Sequence, residues 1–104
     1  MDKQKIKKYL GSIASYVVLA EVDMREDDTI SAATMLYHSA LYTMRLVNPL
    51  GIDVSSLGKG FDRDLAYIIE SEGDLTEEEV IMSYSLMHRL YNELASVLLA
   101  KTLV

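Results

Sequence analysis

Two histidines, seven tyrosines and four arginines carry most of the chemistry available to this 104-residue chain, which has no cysteine and no tryptophan. Metal sites in helix bundles pair histidine with carboxylates three or four residues away on the same face. Around His38 those positions hold Thr34, Met35, Leu41 and Tyr42, and around His88 they hold Tyr84, Ser85, Tyr91 and Asn92. No carboxylate stands there and no Glu-x-x-His occurs, so the pattern argues against a di-iron carboxylate centre and predicts no metal. Without cysteine there is no thiolate zinc site, no disulfide and no thiol nucleophile.

The tyrosines offer a different chemistry. Tyr37 and Tyr84 fall on apolar stripes, with His38, His88 and Arg89 near them in helical register. A buried tyrosine hydroxyl needs a hydrogen-bond partner, and an arginine fork beside flat rings suits a planar anion. If the two helices that carry them are neighbours, Tyr37, His38, Tyr84, His88 and Arg89 form one small ligand pocket of nucleotide type. The competing reading places these side chains in a core or at an interface, where Tyr and Met are enriched.

Three familiar catalytic patterns are missing. Gly58-Lys59-Gly60 lacks the spacing and the following Ser/Thr of a phosphate-cradling loop, and reads as a turn into a helix. The serines have no placed base or oxyanion donors around them. Helical Mg²⁺-dependent pyrophosphatases need acids three and four apart on facing helices, and the long apolar segments of this chain lack them. The expectation is therefore a protein without catalytic residues, metal or cofactor.

Positioning these groups requires helices. Ile6, Leu10, Ile13, Val17, Ala20 and Met24 alternate at spacings of four and three, one apolar stripe over about residues 2–24. The acidic run Glu26-Asp27-Asp28 ends it, and Asp28 or Thr29 caps a second helix striped by Ile30, Ala33, Tyr37, Ala40, Met44 and Val47. Asn48-Pro49 is expected to stop that helix. Phe61, Leu65 and Ile68 mark a shorter third helix with Gly73 as its C-terminal cap. The fourth begins with a Thr76/Glu79 capping box and a Leu75/Val80 staple, then runs through Val80, Tyr84, Met87, Tyr91, Leu94 and Leu98. The expected fold is all-α: an antiparallel, up-and-down four-helix bundle with a shorter third helix, in one domain spanning 1–104.

Charge and hydropathy narrow the partners. Ten Lys+Arg against sixteen Asp+Glu leave −6, which argues against a general nucleic-acid binder. The charge is polarised: Lys3, Lys5, Lys7 and Lys8 crowd the start, while residues 21–28 and 62–79 are acidic. A basic arm that contacts RNA is a third possibility beside a protein partner and a small ligand. The longest run without a charge, Thr29 to Met44, is sixteen residues, short of the ~20 that span a bilayer. No membrane association is expected, and the absence of cysteine and of a secretory signal points to the cytoplasm.

The span 33–40, Ala-Thr-Met-Leu-Tyr-His-Ser-Ala, after Ala20-Glu21 and a short acidic turn, is similar to the small-residue hairpins of tetratricopeptide and MIT-type domains. The four-helix layout with a Tyr-rich second helix resembles HEPN domains, bundles that often dimerise and that include RNases and companions of nucleotidyltransferases. The HEPN nuclease motif is an Arg followed by His after four to six residues, and none of Arg25, Arg45, Arg63 or Arg89 has that partner. The resemblance thus implies fold and dimerisation but no RNase activity. The combined expectation is a non-catalytic interaction or adaptor module, acting as a homodimer or with a protein partner. The alternative is a nucleotide- or small-anion-binding accessory subunit of an enzyme.

Overall fold

The computed structural model describes residues 1–102, with side chains through Ala100. Residues 103–104, the last two of the expected 1–104 domain, lie outside them. Four α-helices follow in order: α1 (Lys3–Arg25), α2 (Thr29–Leu50), α3 (Phe61–Ser71) and α4 (Glu77–Thr102), with a 3₁₀ turn at Val54–Ser56 before α3. The described residues contain no strand, and the molecule is the all-α four-helix bundle expected, elongated at 42 × 24 × 18 Å.

Each start is fixed locally. Asp2 caps α1 by accepting from the Lys5 amide at 2.8 Å, and Asp28 caps α2 by accepting from Ser31 at 3.1 Å. At α4 the capping box is reciprocal: the Thr76 amide donates to Glu79 at 3.0 Å, and the Glu79 amide to the Thr76 hydroxyl at 3.2 Å. Leu75 and Val80 are both buried, as a staple requires.

The α1 stripe is buried from Ile6 to Ala20, with Met24 half-buried against the core. In α2 the buried face is rotated from the expected one. Ala33, Ala40 and Val47 are buried as expected, but Tyr37 and Met44 are only half-buried and Ile30 is 81% exposed. The core positions are instead Ala32, Leu36, Ser39, Thr43 and Leu46. Ser39 and Thr43 can be buried because their hydroxyls donate to the carbonyls of Leu36 (2.7 Å) and Ser39 (2.8 Å). With apolar residues around much of it, α2 fits more than one stripe, and its small residues let α1 approach closely.

Pro49 does not end α2. The helix continues to Leu50, because a proline so near the terminus costs little further pairing. It closes at Gly51, left-handed at φ 66°, with the Ile52 amide reaching back 3.0 Å to the Val47 carbonyl. Nor is Gly73 the first residue to leave α3: Glu72 turns left-handed (φ 51°) and Gly73 follows at φ 88°. Gly73 lies against Thr34, where a Cβ would stand 3.5 Å from the hydroxyl oxygen. This sets the α3–α4 turn over the start of α2. Gly58 is required for space, since a Cβ there would lie 2.4 Å from the Phe61 ring. Gly60, left-handed at φ 77°, then turns the chain into α3.

Candidate functional sites on three flanks

Of the five residues expected to share a pocket, the structure brings four together as two pairs, with Arg89 apart from both. Tyr37 and His38 lie on α2 with ring centroids 5.6 Å apart, and His38 stacks toward Tyr16 of α1 at 5.3 Å. Tyr84 and His88 lie one turn apart on α4, rings 6.0 Å apart, and the Tyr84 hydroxyl donates to Glu21 of α1 at 3.1 Å. Tyr16 and Glu21 are five residues apart, about 140° around α1, so the two pairs flank that helix on different sides. Arg89, the next position after His88, turns away again and sits over the Phe61 ring at 5.6 Å. The expected pocket required Tyr37 to point inward, and the rotation of α2 removes that condition.

On the α1–α2 flank the rings form a ladder that lies outside the apolar stripes. Tyr9 meets Tyr42 at 5.9 Å, Tyr42 meets Tyr16 at 5.6 Å, and Tyr16 meets His38. Arg45 lies over Tyr42, 5.2 Å from its centroid. A signal for this was present: Lys5, Tyr9, Ser12 and Tyr16 share one face of α1, and His38, Tyr42 and Arg45 share one face of α2. Beside the basic end of the ladder is a groove of about 300 Å³ lined by Lys5, Lys8, Tyr9, Ser12, Tyr42 and Arg45.

The α3–α4 flank holds a larger, mainly apolar groove of about 420 Å³, lined by Ile68, Met82, Ser83 and Leu86 together with Asp64, Tyr67, Glu79 and Arg89. The Tyr67 hydroxyl donates to Glu79. That bond, followed by the Thr76 amide and hydroxyl, holds the Glu79 carboxyl below its ordinary pKa, while Glu79 pushes the Tyr67 phenol up.

The third flank is the α1–α4 seam. Burial, with the Glu21 hydrogen bond next in importance, raises the Tyr84 phenol above its ordinary pKa, so it remains a donor at neutral pH. Glu21 also pairs with Arg25 at 2.6 Å. On the solvent side of this bond stand large apolar residues: Val18 is 56% exposed, Ile81 54%, and Val22 is also exposed. A groove of about 290 Å³ where Ile81 meets Met24, Asp27, Thr29 and Glu77 closes that end.

No group of three or more His, Cys, Asp or Glu among the described residues could hold a metal ion. None of the described helices is long and apolar enough to cross a membrane. No family model matches the chain, and no curated protein or solved structure is significantly similar to it.

Proposed function

We propose that this chain is a non-catalytic interaction module that associates with a second copy of itself through the α1–α4 seam. The observation that carries this reading is the exposed apolar strip of Val18, Val22 and Ile81 beside the Glu21–Tyr84 bond. Large apolar side chains grouped on one face mark surfaces that are covered in the working assembly.

The dimensions and charge of the seam favour self-association. Helix α1 has 23 residues and is ~35 Å long, so two helices side by side present roughly 700 Å², near the ~800 Å² per partner of a standard interface. Along the strip the outward residues Gly11, Ser15, Ser85 and Asn92 carry no charge, Glu21 is paired with Arg25, and the carboxylates of Asp27 and Glu77 lie at one end beside Ile81. Two copies of a −6 chain can meet along the uncharged middle of such a face. The resemblance to HEPN bundles, which often dimerise, agrees with this reading.

The non-catalytic part of the proposal rests on the surroundings of the histidines. His38 is packed between the rings of Tyr16 and Tyr37, and His88 has Asn92 as its polar neighbour, 3.5 Å away. Neither stands next to a nucleophile or an orienting carboxylate. Multi-angle light scattering tests the proposal: the chain is expected at twice its monomer mass, and the double variant Val18→Glu/Ile81→Glu at the monomer mass with unchanged helicity. A monomeric parent chain, or a double variant that still dimerises, would contradict it.

A further inference from the structure

We propose that Lys5, Lys8 and Arg45, grouped around the Tyr9–Tyr42 pair, bind a compact phosphate-bearing ligand with at least two negative charges. These residues and Ser12 line the groove of about 300 Å³ on the α1–α2 flank, away from the seam of the proposed dimer. That volume lies at the lower end of the usual ligand-pocket range, ~300–1,000 Å³.

The charge arrangement points to an anion. The chain carries six more acids than bases, yet neither ion pair among the described side chains involves Lys5, Lys8 or Arg45. Three cations converging without carboxylates repel one another and gain from a shared counter-charge. In the same chain Arg25 and Arg63 each have an acidic partner, at 2.6 and 3.5 Å. The groove also supplies hydroxyl donors, since the Tyr9 and Tyr42 hydroxyls make no hydrogen bond among the described residues. Tyr42 is fixed between Tyr9 and Tyr16, and Arg45 rests over it, so the guanidinium is held in place before any ligand arrives. A planar guanidinium with flanking ammonium groups matches phosphate oxygens better than a single carboxylate, which carries one charge against three.

The same geometry selects a compact ligand over a polynucleotide. Beyond Tyr42 the ladder continues through Tyr16 and His38 without Lys or Arg, so the cations stop at one end instead of following a backbone track. A single di- or triphosphate group fits that confinement.

Titration of the full-length chain followed by amide and tyrosine-ring NMR tests this, with pyrophosphate, ATP, adenosine and a twelve-nucleotide single strand as probes at 50 mM KCl. Pyrophosphate and ATP should shift the Tyr9, Tyr42 and Arg45 signals, adenosine should not, and 300 mM KCl should weaken binding at least fivefold. Equal affinities for pyrophosphate and ATP would assign recognition to phosphate alone, and tighter ATP binding would add a ring contact with the tyrosines. Arg45→Gln and Lys5→Gln/Lys8→Gln should each weaken binding at least tenfold while leaving the thermal midpoint and the oligomeric mass unchanged. The proposal is overturned by silence toward both phosphates, by shifts that persist in these variants, or by an oligonucleotide that binds more tightly than ATP.

Discussion

The α1–α2 and α3–α4 flanks are built from the same residue types and use them differently. On α3–α4 the polar groups are committed to structure: Glu79 caps α4 and receives Tyr67, Arg63 sits by Asp64, and Arg89 lies on Phe61. On α1–α2 the tyrosines hold one another and the cations at their end have no acidic partner. The difference follows from helix length. With 11 residues, α3 has little face to bury and depends on local polar bonds, whereas the 23- and 22-residue pair α1 and α2 is held by a long buried interface. A flank that does not need its polar groups for folding can present them to a ligand.

That contrast can be broken at three places, in order of expected effect. Leu36→Ala empties a fully buried position in α2 and should lower the unfolding free energy by about 2–5 kcal/mol, read by urea denaturation. A loss below 1 kcal/mol would mean that the hairpin core is not the main support. Gly58→Ala forces a methyl group against the Phe61 ring and should cost about 1–3 kcal/mol. Its effect on amide exchange should concentrate in α3 and leave α1 and α2 protected.

The smallest effect is the pH dependence of the α3–α4 bond. Glu79 titrates below its ordinary value in the folded chain, so its contribution is present above the unfolded carboxyl pKa of ~4.3 and is lost as pH falls through the lower folded value. The Tyr67 phenol is raised, so its contribution is present below ~10 and is lost as pH rises through the higher folded value. Tyr67→Phe should reduce the alkaline loss, leaving the share of Tyr84, and move the acid limb of the thermal midpoint to higher pH. An unchanged acid limb would show that capping alone sets the Glu79 carboxyl.

Most of the architecture is legible in the sequence because its signals are local. The Thr76/Glu79 box, the Asp28 cap and the α1 stripe each act within a few residues, and each is found in place. The face of α2 is not legible, because Ile30, Met44 and Tyr37 look as buriable as Leu36, and Ser39 and Thr43 become core residues only through bonds to their own helix. The tyrosine ladder depends on the register between two helices. Nothing within α1 says that Tyr9 and Tyr16 bracket Tyr42. The same holds for the seam, where Glu21 and Tyr84 lie 63 positions apart in the chain.

The central claim is that the exposed strip along α1 and α4 is covered by a second copy. Sedimentation equilibrium on the full-length chain beside Val18→Glu/Ile81→Glu addresses it most directly. The account predicts twice the 11.7 kDa chain mass for the former and a helical monomer for the double variant. A parent chain that sediments as a monomer at tens of micromolar would contradict it.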